Sequence, residues 1–190
     1  MNQKLGDRID QAITKRRVLR ILSVVDDEED YFIGIPVKRS RSLVAIHRLI
    51  DFHFDGYTCI RLKDVTDVRR SRSEVTQERI LRSTGEIQNF DNPPWLRIGS
   101  IKSLLLCLKE RKICACVSSA LLDVDVFAVG TVDALREGSV VLKSFDAHGD
   151  WIVPKHEIKY SDITEVTFED EYSTVFHQFI ASENLRKKGS

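Results

Sequence analysis

Apolar residues along this chain follow two spacings, and the spacings alternate in a fixed order. Leu5, Ile9 and Ile13 recur every four residues, the period of one helix face, with Asp7 as the expected cap. Five short β-branched runs follow, separated by acidic, Gly-containing or Arg/Ser turns, and they predict five strands. A weaker helical pattern over 74–84 rests on Val75, Ile80 and Leu81, with Gly85 as its stop. The stretch NFDNPPWLRIGS (89–100) contains Pro93 and Pro94, which cannot continue a helix. After it the order starts again. Ile101, Leu104, Leu105 and Leu108 form one stripe behind Ser100, an N-cap residue, and five more short runs follow. Tyr172, Val175, Phe176, Phe179 and Ile180 then fit the i, i+3, i+4, i+7, i+8 pattern of a closing helix.

Wording recurs along with order. KDVTDV (63–68) matches SDITEV (161–166) at an offset of 98 residues, and YFIGIPV (31–37) meets VFAVGTV (126–132) with Gly34 opposite Gly130, an offset of 96. RVLRILSVV (17–25) falls opposite ICACVSSAL (113–121). SLVAI (42–46) faces SVVL (139–142), and Ile50-Asp51 faces Phe145-Asp146. The two-residue difference accumulates in the hairpin before the final strands. So many features kept in order predict a tandem duplication, with one repeat over 1–90, a Pro-containing linker over 91–99 and a second repeat over 100–190.

A helix and five short strands have few residues with which to bury a sheet face, and a bent sheet curling into a small barrel is one compact solution. That layout resembles the Sm-like family and, more loosely, other SH3-like small barrels; FAVGTVDALREGSVVL (127–142) resembles the first Sm motif, an apolar run, Gly, alternating apolar positions, a turn and a second apolar run. The resemblance implies an α+β protein of two tandem small β-barrels, each a helix followed by five bent antiparallel strands, then a helix. Members that bind RNA carry an Asp and an Asn in the turn after that strand and a basic-Gly step in the second motif. Here the turns are KRSRS (38–42) and DALREGS (133–139), and the second-motif positions read Ile60-Arg61-Leu62 and Ile158-Lys159-Tyr160. The resemblance therefore implies no base-binding pocket.

Charge changes the picture little. Lys plus Arg equals Asp plus Glu at 29 each, so no global field draws the chain to nucleic acid or membrane. Residues 1–90 hold 17 basic and 14 acidic groups and residues 91–190 hold 12 and 15, a mild opposite bias. The polar start MNQKLGDRIDQ and the absence of a long apolar run predict a cytoplasmic protein without a membrane segment. Cys59, Cys107, Cys114 and Cys116 form no C-x-x-C pair and read as reduced, packed thiols.

Three local features carry candidate chemistry. Lys38, Arg39 and Arg41 in KRSRS, with Arg69, Arg70 and Arg72 in RRSRS, are candidate RNA or polyanion contacts, supported by Lys15, Arg16, Arg17 and Arg20. The plainer alternative is two solvated turns whose charges pair with the nearby DDEED (26–30). That acidic run lacks the Gly and oxygen spacing of a calcium loop, and its counterpart keeps only Asp123 and Asp125. His47, Asp51, His53 and Asp55 are the most metal-like group, echoed by Asp146, His148 and Asp150, although alternation with Phe52 and Phe54 also describes a half-buried strand. No nucleophile elbow, P-loop or zinc-protease motif appears, so neither a catalytic residue nor a cofactor is assigned. The expected function is a non-catalytic binding or scaffold protein that meets a protein partner, or itself, through strand edges. RNA or polyanion binding is the alternative, and a metal-dependent hydrolase the third reading.

Overall fold

The structure of the protein, a computed structural model, describes residues 3–25, 27–119 and 126–188, with residues 126 and 183–188 described by backbone alone. Asp26, Asp123 and Asp125 lie outside the described residues. The chain divides into two compact units, Met1–Ser100 and Ile101–Ser190. The first contains α1 (Gln3–Lys15), β1 (Leu19–Val25), β2 (Glu28–Arg39), β3 (Leu43–Ile50), β4 (His53–Arg61), β5 (Val65–Arg69), α2 (Arg72–Thr84) and a short 3-10 turn, Glu86–Asn89. Its strands lie in the antiparallel order β5-β1-β2-β3-β4.

Period-two alternation splits the apolar side chains of this sheet between its faces. Leu19, Ile21, Phe32, Val44, Ile46, Ile60, Leu62, Val65 and Val68 gather under Ile9 and Ala12 of α1, with Leu5 and Ile13 at the margin. Asp7, the expected cap, lies within α1. Val18 and Ile35 pack instead with Leu81 of α2, joined by Ile33, Leu49, Phe54, Ile87 and Phe90. α2 has few apolar residues of its own, and its ends compensate. Ser71 and Glu74 form a reciprocal capping box, and Gly85 stops the helix at φ 82°. The expected linker is held in place: Lys38 Nζ donates to the carbonyls of Pro93 (3.2 Å) and Leu96 (2.8 Å), and Leu96 and Ile98 are buried.

The second unit contains α3 (Ile101–Arg111), β6 (Cys114–Ser119), β7 (Val126–Leu135), β8 (Ser139–Phe145), β9 (His156–Lys159), β10 (Ile163–Phe168) and α4 (Glu171–Lys188). Its order, β10-β6-β7-β8-β9, follows the same plan. The correspondence reaches single hydrogen bonds. Arg17 N donates to Ala12 O and Ile113 N to Leu108 O, each at 3.0 Å, beside the left-handed residues Arg16 and Lys112. Ser40 N donates to Leu43 O and Arg136 N to Ser139 O, each at 2.9 Å. A register shift falls between Pro36 and Lys38 and again between Val132 and Ala134. Gly34 and Gly130 both sit where an added Cβ would lie 2.2 Å from a backbone carbonyl oxygen, that of His47 or Lys143. No other residue fits such an approach.

These pairings correct two expectations. The sequence match set Ser42 against Ser139, whereas the hydrogen bonds set Leu43 there; likewise Ile50 corresponds to Asp146, not Phe145. The larger correction concerns the two tandem small barrels, which do not form. The strands make an open antiparallel sheet, and among the described residues no ladder joins β5 to β4 or β10 to β9. The barrel expectation assumed that the strands had to curl to cover a single apolar face. In the first unit both faces are apolar and each has its own cover, α1 on one and α2 with the 86–89 turn on the other. An open α+β sheet thereby buries what closure would have buried.

Candidate interaction surface

The basic turns are mostly occupied from within. Lys38 holds the 93–96 carbonyls. Arg39 grips Asp10 of α1 with two parallel bonds, its Nε donating to Oδ1 at 2.7 Å. Arg69 Nε donates to Asp67 at 2.7 Å, and Arg70 pairs with Glu78 at 3.0 Å. The acids that hydrogen-bond to these arginines are Asp10, Asp67 and Glu78, while Glu29 acts on Arg69 through its charge alone. Arg41 and Arg72 are the two of the six whose side chains make no hydrogen bond or ion pair among the described residues. Of the supporting cations, Arg16 lies over the Phe90 ring and Arg20 over the Tyr31 ring, with Arg20 also 3.1 Å from the buried Glu74 carboxylate.

The metal-like group is dispersed by the β3–β4 turn. Asp51 and Phe52, both left-handed with φ 45° and 68°, reverse the chain, so His47 faces Tyr57 and Ile50 faces His53. His47 is buried between Phe54 and Tyr57, each ring 4.4 Å away and nearly parallel. Its Nδ1 accepts from Asp91 N at 3.2 Å, which leaves the proton of the neutral ring on Nε2. Burial pushes its pKa down to about 4 against the opposite pull of Asp91 and Glu86. His53 is exposed and lies 3.6 Å from Glu86. Phe52, expected to point inward, is exposed at the turn.

The second unit's echo lies in a longer connection and is held by its own side chain: Asp146 Oδ1 accepts from His148 N and Asp150 N. No group of three or more His, Cys, Asp or Glu is placed to hold a metal ion among the described residues. All four cysteines are buried and none is in a disulfide, and burial followed by the Asp170 charge pushes the Cys114 thiol up to about 12. Ser144 Oγ lies 3.0 Å from His156 Nδ1, but Ser144 is 0% exposed, so the pair ties β8 to β9 out of reach of a substrate.

The feature that sequence reasoning left unused is α4, whose five apolar residues lie in a helix as their spacing predicts. The sheet takes the stripe Ser173, Phe176 and Ile180, with Phe176 against Phe145 and Ile180 in the same cluster. Tyr172, Val175 and Phe179, one position away along the helix, are 54%, 57% and 51% exposed. The Tyr172, Phe176 and Phe179 rings stack along the axis with interplanar angles of 20° and 18°. Half-buried Phe176 anchors this row of rings from below. Asp170 caps the helix through Ser173 N at 3.1 Å. The spacing carried no advance signal of this row, because i, i+3, i+4, i+7, i+8 is the ordinary core-facing stripe of a surface helix.

Compared with known protein families, curated proteins and solved structures, the chain matches none. Among the described residues no helix is long and apolar enough to cross a membrane.

Proposed function

We propose that the protein is a non-catalytic binding or scaffold module that engages a protein partner through the exposed face of α4. The observation that carries this is the row of Tyr172, Val175 and Phe179 at i, i+3 and i+7, more than half exposed on a helix whose other stripe is fixed in the core. Apolar anchors at that spacing suit a groove on a partner, and aromatic side chains dominate the energetics of such contacts. The plan itself does not demand the row. The corresponding positions of α2 are Ser73, Thr76 and Ile80, since Val75 N bonds Ser71 O as Thr174 N bonds Asp170 O.

The test is the triple replacement Tyr172→Ser, Val175→Ser, Phe179→Ser, with Ser73→Ala, Thr76→Ala on α2 as the control. A stoichiometric complex recovered with the wild-type chain should be retained by the control and lost by the triple variant at unchanged helicity. Equal recovery with the triple variant would count against α4. Polyanion binding has less to draw on, because only Arg41 and Arg72 of its six cations are unengaged; RNA retention that falls with added salt and with Arg41→Ala, Arg72→Ala would favour it instead.

A further inference from the structure

β5 pairs with β1, and no second strand lies along its other side among the described residues. Such an edge ordinarily offers unpaired N–H and C=O groups to a strand of another chain. At Val68 both groups are already taken by side chains. Its N–H donates to Asp67 Oδ1 at 2.8 Å, and its C=O accepts from Arg8 Nη1 of α1 at 2.9 Å. In an antiparallel strand the two polar groups of one residue point to the same side, so the side chains bonded to them lie on the side that β1 leaves open. The pair is itself braced: Arg69 Nε donates to the other Asp67 oxygen at 2.7 Å, and Arg8 Nη1 lies 3.9 Å from Asp67 Oδ1.

The arrangement belongs to the first unit alone. By the 96- and 98-residue correspondence, Leu104, Glu165 and Thr167 stand where Arg8, Asp67 and Arg69 do. Leu104 is buried, and Glu165 accepts from Thr167 Oγ1 at 2.8 Å. The fold is therefore built without this clasp in one unit and carries it as an addition in the other.

We propose that Arg8, Asp67 and Arg69 form an edge guard that denies β5 to strand addition by a second copy of this chain. The chain supplies the strand that is kept out: β9 pairs with β8 and has no ladder on its other side among the described residues. An unguarded β5 meets in a second copy a strand with a free side. The guard speaks against self-association through β5 only, and it does not rest on the α4 reading, whose surface it leaves untouched.

The experiment compares the wild-type chain with Arg8→Leu, Asp67→Ala across a concentration series by light scattering and amide hydrogen exchange. The variant should show at least a twofold rise in average mass over wild type, with exchange at Val68 slowing as concentration rises. A folded variant with wild-type mass at every concentration would overturn the guard, as would association in which exchange at Val68 stays independent of concentration. Arg8→Met, which keeps an apolar stem on α1 and removes the donor to the Val68 carbonyl, is read in the same way should the double variant fail to fold.

Discussion

The two units of this chain share a strand plan and differ at several of the side-chain contacts built on it. Where the first unit buries His47 between two aromatic rings, the second places Lys143, whose ammonium lies 3.9 Å over the Trp151 ring. Where the first joins Asp10 to Arg39, the second has Leu106 and Leu135. The caps of the closing helices differ as well, Ser71 with Glu74 in one and Asp170 with Ser173 in the other. What does not differ is the glycine at the close strand approach, the left-handed residue after the first helix, and the register shift. The lesson is that this plan depends on a few positions where backbone geometry leaves no choice. Side chains elsewhere have several ways of satisfying the same burial.

The comparison makes its strongest claim at the glycines. Gly34→Ala and Gly130→Ala each push a Cβ into a backbone oxygen, and neither strand can move without breaking its ladder. Each should cost more than about 3 kcal/mol in a urea titration, the range of severe core disruption. If one unit tolerates the change, the plan is less strictly shared than the hydrogen bonds indicate.

A second, smaller effect should separate the units by pH. His47 has a folded pKa of about 4 against an ordinary 6.5, so the unfolded chain takes up the proton first as pH falls. The stability present above the unfolded pKa should drop by about 3 kcal/mol between pH 6.5 and 4 and change little further from this group below that. His47→Phe should flatten the slope in that window, whereas Lys143→Met should leave it unchanged; equal slopes for wild type and His47→Phe would remove the buried imidazole as the cause.

The smallest effect belongs to the exposed ion pair. Arg39→Ala should cost under about 1 kcal/mol, less still in high salt, because solvent screens a pair whose Asp10 side chain is 48% exposed. A larger loss would mean that the bidentate grip orders the end of β2 as well.

Much of this architecture could be read from residue spacing. The Leu5–Ile9–Ile13 and Leu104–Leu105–Leu108 stripes lie in helices, and Gly85 stops α2 as its position predicts. The register was harder: matching Ser42 to Ser139 follows letter identity, while the true partner, Leu43, is set by a hydrogen bond to Ser40 that letters do not encode. The candidate sites were the least legible part. His47, Asp51, His53 and Asp55 share parity on an uninterrupted strand, and two left-handed residues at 51 and 52 break that strand in the middle. Arg39 and Arg69 looked free because Asp10 is 29 residues away from one of them and Asp67 sits within the other's own strand.

By itself the sequence determined the order of helices and strands and the restart after Pro93 and Pro94, because these follow from local periodicity and from where a helix cannot continue. Tertiary structure alone decided that the sheet stays open, that four of six cations are already engaged, and that Tyr172, Val175 and Phe179 face outward. Each of those depends on which surface arrives first to cover an apolar or charged group, and that is a property of the packed chain rather than of any stretch of it.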